Sequence, residues 1–329
     1  MAVKNVLITD RLAESSRRQL ESIEGLKITS SLGPQPQSQE LLGIHAMIIR
    51  SKTQITEKLL HDAKQLQLII TCTSGFDHID LKATNKWGIT VMFTPKANVE
   101  SAAELTWMMA MMMARQYPKT QDLMTSGRWN RETATGFELR GKNYGIIGFG
   151  RIGQRVCEIA KAFQMNVFCF DPYQKNAVFQ RYKTKHATLE RLFETCDVIS
   201  LHVPKTNKTQ GMIDHKLISL AKQNLCLINT SRGGVVNEND CLAALQKGTL
   251  QYAALDVFET EPLATTSAIL AENRIIKTPH IGANTVDAME RASQMAVEKL
   301  LRFFQDGTTS DTLPPKDQWY FEEVNSESP

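Results

Sequence analysis

The stretch Gly148-Phe149-Gly150-Arg151-Ile152-Gly153 constrains this chain more than any other. It follows a short apolar run, Tyr144–Ile147, and opens a helical segment, Ile152–Phe163, that leads to a second apolar run ending at Phe170-Asp171-Pro172. Strand, glycines, helix and acid in that order form the fingerprint of a dinucleotide cradle. Gly148 permits the tight turn, Gly150 lets the backbone approach a pyrophosphate, and Gly153 lets the helix pack closely on the strand. Free amides and the helix dipole attract the phosphates, and Arg151 can add a charge-assisted contact. Asp171 stands 18 residues past Gly153 at the tip of the second strand. A carboxylate there accepts hydrogen bonds from the ribose hydroxyls and repels a 2′-phosphate, so the residues favour NAD over NADP.

The rest of the chain repeats the same alternation. Before the cradle, apolar runs fall at Val6–Ile8, Ala46–Ile49, Leu66–Ile70 and Ile89–Phe93, with helical pieces at Leu12–Ile23, Thr56–His61 and Asp80–Lys86. After it, runs at Val198–Val203, Leu225–Ile228, Ala253–Val257 and Ile275–Lys277 alternate with further helices. Short unbroken apolar runs read as strands covered on both faces, and strand–helix alternation as a parallel sheet. The fold class is therefore α/β with doubly wound parallel sheets, and 329 residues suggest two domains. Thirty-eight basic residues against 35 acidic ones leave a net charge of +3, without the dense basic patch a nucleic-acid binder needs. The six cysteines form no C-x-x-C pair and sit mostly in apolar runs, as reduced thiols do in a cytoplasmic protein. The longest oily stretch, Ala102–Ala114, contains Glu104 and falls short of the ~20 residues that span a bilayer. It lies in a helix read at Ser101–Gln116, whose methionines read as core filling and which Pro118 is expected to end. The aromatic run Trp319-Tyr320-Phe321 lies in an acidic tail whose composition fits docking or disorder equally well.

Three segments place ionisable groups directly after strand-like runs: Asn229–Gly234, Asp256–Pro262 and Thr278–Asn284. In an open parallel sheet ligands sit at the carboxyl ends of strands. Arg232 offers a planar fork for a carboxylate. His280 offers a proton near neutral pH, and Glu261, with Glu259 as its rival, would stabilise the imidazolium. Together they suit a dehydrogenase in which arginine grips a 2-hydroxy or 2-oxo acid and histidine exchanges a proton with the C2 oxygen as hydride moves. No metal is expected.

These segments, with Gly148–Gly153 and Leu201-His202-Val203-Pro204, resemble the D-isomer-specific 2-hydroxyacid dehydrogenases from about Val3 to Leu313. The resemblance implies a Rossmann NAD-binding domain, residues 100–285, inserted into a flavodoxin-like catalytic domain made of residues 1–99 and 286–329, with the substrate in the cleft. It implies Arg232, Glu261 and His280 as the catalytic set. It implies cofactor contacts at Arg151, Ile152, Asp171, Val203, Pro204, Thr230, Asp256, His280, Gly282 and Ala283, with Thr106 near the nicotinamide. The loop Thr73-Ser74-Gly75-Phe76-Asp77 resembles the substrate loop, so Ser74 and Gly75 are expected to meet the carboxylate. Within the family the chain looks most like the D-3-phosphoglycerate dehydrogenases of serine biosynthesis, with Arg50, Lys52 and Asn98 as candidates for the phosphate. Thr71, where some relatives carry arginine, departs from that pattern. The alternatives are a glyoxylate or hydroxypyruvate reductase and, in another class, a nucleotide-sensing corepressor. The resemblance further implies a cytoplasmic homodimer, with no nucleic-acid or membrane partner and without the C-terminal regulatory domain of longer relatives.

Overall fold

A computed structural model describes residues 3–326. Its contacts divide the chain into two compact units, one running from Val99 to Gly282 and the other made of the segments before and after it.

The first unit to form along the chain has strands β1 (Lys4–Ile8), β2 (Leu26–Ser30), β3 (Ala46–Ile49), β4 (Leu68–Thr71) and β5 (Thr90–Phe93). The central unit has β6 (Asn143–Ile147), β7 (Asn166–Phe170), β8 (Lys185–His186), β9 (Val198–Leu201), β10 (Leu225–Asn229), β11 (Leu250–Leu255) and β12 (Ile275–Lys277), and β13 (Thr312–Leu313) returns to the first unit. The sheet orders are β13-β5-β4-β3-β1-β2 and β12-β11-β10-β9-β6-β7-β8. All pairs are parallel except the short antiparallel pair of β13 with β5. Every residue of β3, β4, β9 and β10 is buried, as expected of strands covered on both faces. The strand order reverses between β1 and β3 in one sheet and between β6 and β9 in the other. Crevices for ligands open at such points, beyond the carboxyl ends of the strands.

Three edge strands escape the sequence pattern because they are half-exposed or only two residues long. β2 is half-exposed, β8 has two residues and β13 has two. The Met-rich helix spans Val99–Ala114 and buries ten of its residues, including Met109 and Met113. It packs on the helix Arg151–Ala162. Trp107 lies against Tyr144 and Phe163, so the apolar surface is core. Pro118 does not end this helix, contrary to the sequence expectation. The helix stops at Ala114, Gln116 turns left-handed at φ 48°, and Pro118 lies in the first turn of another helix, Tyr117–Thr125. Proline is tolerated there because first-turn amides have no intrahelical acceptor. The aromatic tail is likewise a helix, Gln318–Ser326. All six cysteines are buried and unbridged. Among the described residues, no helix is long and apolar enough to cross a membrane, and no cluster of side chains is suited to hold a metal ion.

Candidate active site

The cradle is built by close backbone approach. At Gly148 the chain turns at φ +91°, and a Cβ there would lie 2.5 Å from the His202 carbonyl oxygen and 2.8 Å from the Val203 side chain. A Cβ at Gly153 would lie 2.1 Å from the Gly148 carbonyl oxygen, so the helix Arg151–Ala162 can seat against the turn only as glycine. Gly150 differs, because nothing lies within 4 Å of its Cβ position. The fold leaves that space open, beside the first helix amides, which have no intrahelical partner. Those features suit a pyrophosphate. Arg151 is exposed, and Ile152 is half-buried against the core of this unit.

Asp171, at the end of β7, accepts from the Phe149 amide at 2.8 Å and from the Tyr173 amide at 2.9 Å, one on each carboxylate oxygen. Each oxygen keeps a lone pair for a ribose hydroxyl. His202 follows β9 and pairs with the Ser200 hydroxyl at 2.9 Å. Desolvation pushes its pKa down to about 3, so the ring behind the turn is neutral. Pro204 accepts from Thr209 at 2.7 Å, which closes the following turn.

The three strand-end segments interlock. Asn229, the last residue of β10, accepts from the Ser231 amide and hydroxyl and donates to the Arg232 carbonyl at 2.9 Å. Gly233 lies so close to the next loop that a Cβ would be 1.7 Å from the Phe258 carbonyl oxygen. Thr230 meets the Thr106 hydroxyl at 2.7 Å, which ties the Met-rich helix to this loop. Asp256 is fully buried at the end of β11 and accepts from the Thr278 hydroxyl at 2.6 Å and from the Ile281 and Gly282 amides at 2.8 Å each. Desolvation raises its pKa against the pull of those bonds. Its backbone carbonyl accepts from the His280 amide at 2.8 Å and thereby helps hold His280 at φ +53°. Few residues other than glycine adopt that conformation unless their surroundings fix it.

The outcome is a carboxylate–imidazole pair. Glu261 Oε2 meets His280 Nδ1 at 2.7 Å, while Glu261 Oε1 accepts from the Phe258 amide at 3.0 Å. Glu259 turns away, its amide donating to Glu238. The hydrogen bond to Glu261 raises the His280 pKa above its ordinary value, against desolvation. Desolvation opposes ionisation of Glu261, but the bonds from His280 and the Phe258 amide prevail and lower its pKa. Arg232 stands close enough to act on both charges. With Nδ1 committed to Glu261, Nε2 is the ring atom that can reach a substrate. Asn229, Gly233 and Thr278 lie in segments that the sequence singles out, but it gives them no role of their own. Their signals in the sequence are their place after strand-like runs and the doubled glycine after Arg232.

The remaining candidates lie in the other unit, with Ala283 half-buried where the chain re-enters it. After β4, the Thr73 hydroxyl donates to the Gly75 carbonyl at 2.7 Å, and Ser74 donates to Asn98 Oδ1 at 2.5 Å. The amides of Ser74, Gly75 and Phe76 have no acceptor among the described residues. Successive amides without an acceptor are donors available to an anion. Arg50 carries a buried Nη1 with no partner, whereas Lys52 is exposed. Thr71 is buried and bonded to Thr73 and to His78 Nε2, so its position adds no charge.

Residues 107–282 match the family described as D-isomer specific 2-hydroxyacid dehydrogenase, NAD binding domain. The chain is 35% identical over 296 residues to a D-3-phosphoglycerate dehydrogenase of Methanocaldococcus jannaschii, covering 90% of this chain and 56% of that protein. It thus spans little more than half the length of the phosphoglycerate dehydrogenases it matches. A hydroxypyruvate reductase of Thermotoga maritima is 32% identical, with 92% of this chain and 99% of that protein covered. The crystal structure of a D-lactate dehydrogenase from Aquifex aeolicus, complexed with NAD and lactic acid, superposes with a TM-score of 0.82 at 32% identity, covering 92% of this chain and 96% of that one.

Proposed function

Since the chain belongs to the D-isomer-specific 2-hydroxyacid dehydrogenase family and has NAD as its cofactor, we propose that it oxidises a small D-2-hydroxy acid, or reduces the matching 2-oxo acid, with D-3-phosphoglycerate as the preferred substrate. The observation that carries this reading is the 2.7 Å pair of His280 and Glu261, both of which feel the Arg232 charge. His280 exchanges a proton with the C2 oxygen through Nε2, and Glu261 holds the ring in one orientation and stabilises its charged form. Arg232 binds the substrate carboxylate bidentately. In the other unit, the amides of Ser74, Gly75 and Phe76 are the further candidates for receiving a substrate carboxylate. Gly148–Gly153 and Asp171 seat the pyrophosphate and ribose, with Thr106, Thr230, Val203, Pro204, Asp256, Gly282 and Ala283 along the remainder of the dinucleotide. When bound, the nicotinamide accepts or delivers the hydride. A cytoplasmic homodimer acting in serine biosynthesis goes with this reading.

The phosphate assignment has its support in Arg50, whose buried Nη1 lacks an acceptor among the described residues. The opposing observation is Thr71, which offers only a hydroxyl already engaged with its neighbours. That favours the second reading, a hydroxypyruvate or glyoxylate reductase. A panel of 2-hydroxy and 2-oxo acids with NAD and NADP, followed at the nicotinamide absorbance, decides between them. We expect 3-phosphoglycerate to give the highest kcat/KM and Arg50→Ala to cost it about tenfold or more, while hydroxypyruvate is spared. Equal losses on both acids would remove the phosphate assignment. No turnover with any acid would leave a nucleotide-binding protein.

A further inference from the structure

Phe76 directly follows Gly75, and its ring is enclosed by three others. Phe93 meets it edge-on with centroids 6.1 Å apart. Trp319 stacks on it at 6.3 Å with the planes 23° apart, and Tyr320 meets it edge-on at 6.3 Å. Trp319 and Tyr320 also pack perpendicular to each other at 5.8 Å. These two rings come from the helix Gln318–Ser326, at the far end of the sequence from the loop. The chain is delivered there by β13, which pairs with β5 through Thr312↔Met92 and Leu313↔Val91, so it runs beside the strand that ends in Phe93.

The loop itself is held by hydrogen bonds, including one from the Ser74 hydroxyl to the Pro95 carbonyl, and by the packing of one ring. It lies outside any helix or strand, and Gly75 leaves its backbone free to vary. Below, it is tied by the Thr73 bond to the Gly75 carbonyl and the Ser74 bond to Asn98. Beyond Gly75, the Phe76 carbonyl accepts from the Ile79 amide at 3.0 Å. None of these contacts uses the amides of Ser74, Gly75 and Phe76, and the lodging of the Phe76 ring is the further contact that bears on their aim. Offset and edge-on aromatic pairs have a preferred geometry as well as an energy.

We propose that Trp319 and Tyr320 are positioning residues: the C-terminal aromatic helix clamps Phe76 and so fixes the direction of the loop amides that receive the substrate carboxylate. This rests on the loop's reading as a carboxylate site. The clamp acts on substrate affinity, because the two rings pack on the loop through Phe76.

The test compares the full chain with a Trp319→Ala/Tyr320→Ala double variant and with Trp319→Phe, using hydroxypyruvate and NADH. Thermal midpoints and NADH affinity, from nicotinamide fluorescence, are measured in parallel. The double variant should raise the hydroxypyruvate KM about tenfold, with kcat and NADH Kd within about twofold, while Trp319→Phe stays near the parent. An unchanged KM overturns the proposal. So does a matched loss of KM, kcat and NADH affinity, which would mark the helix as general packing. If the double variant fails to fold, Tyr320→Ala alone is measured against the same criteria. Gly75→Pro, which deletes one of the loop amides, separates the two layers. If it raises KM and the tail variants do not, the clamp alone fails. If it leaves KM unchanged, the loop does not bind the carboxylate and the proposal falls with it.

Discussion

The three cradle glycines separate binding from folding, because the structure gives each a different neighbour. At Gly150 an added Cβ has nothing within 4 Å, and the backbone at φ −76° is open to any residue. Gly150→Ala should therefore fold normally. Replacing a glycine N-cap by alanine costs about 0.5–1 kcal/mol, and the reduced freedom of the unfolded chain returns about 0.4–1 kcal/mol. The two nearly cancel, so the thermal midpoint should move by no more than about 2 °C. The same methyl occupies the space through which a pyrophosphate would approach the helix amides. Overpacking of that kind costs about 1–3 kcal/mol, so NADH affinity should fall roughly 10- to 100-fold. Gly153→Ala is the counter-case. Its Cβ would lie 2.1 Å from a backbone oxygen, so the helix must move off the turn and the protein should lose several degrees of thermal stability. The assay is NADH fluorescence titration beside a thermal melt for each variant. Unchanged NADH affinity in a folded Gly150→Ala protein would refute the assignment of that space to the pyrophosphate.

Three further outcomes follow from the same geometry. His280→Ala should lower kcat about 10²- to 10⁴-fold and leave NADH Kd near the parent value, since the ring supplies proton transfer and no cradle contact. Equal loss of both would make it a packing residue. Glu261→Gln removes the carboxylate that raises the His280 pKa above 6.5. Oxidation needs the neutral ring and fails as pH falls through that pKa, whereas reduction needs the imidazolium and fails as pH rises through it. Both limbs should therefore move to lower pH in the variant, as pH–rate profiles in each direction will show. A shift upward contradicts the pairing. Asp171→Ala should weaken NADH and improve NADPH, changing the ratio of their Kd values about tenfold or more, because charge-assisted bonds to the ribose are lost and repulsion of a 2′-phosphate is relieved. A parent protein that already binds both equally would show that Asp171 does not select.

Much of this was legible in the residues. Buried parallel strands such as β3, β4, β9 and β10 announce themselves as unbroken apolar runs, because both faces are covered. The edge strands β2 and β8 do not, since a half-exposed strand needs no such run. Pro118 reads as a breaker from the sequence because proline stops a helix interior. Whether it falls in an interior or a first turn depends on where the preceding helix ends, and that end is set by the left-handed turn at Gln116. The tail is the harder case. Trp319 and Tyr320 lie in an acidic stretch with no periodic partner nearby, and the ring they pack against, Phe76, is close in space and remote in sequence.

The candidate site shows the same division between type and placement. Residue chemistry picks out Arg232, Glu261 and His280, but cannot choose between Glu261 and Glu259. The choice is made by the loop. Glu259 is drawn to the helix Glu238–Lys247 through mutual bonds with Glu238, while the Phe258 amide captures Glu261 Oε1 and leaves Oε2 for His280. That loop is fixed by contacts that carry no chemistry of their own. Gly233 admits the Phe258 carbonyl to a place where a Cβ would be 1.7 Å away, and Asp256 gathers Thr278, Ile281 and Gly282 around the segment bearing His280. Asp256 is therefore better understood as the organiser of the loops than as a residue kept free for the nucleotide: its Oδ1 already accepts two bonds and its Oδ2 one, which leaves Oδ2 with one lone pair to offer a cofactor amide. A group that is fully buried and that many donors require has little freedom to change, and its removal would misplace His280 before it affected any contact with the cofactor.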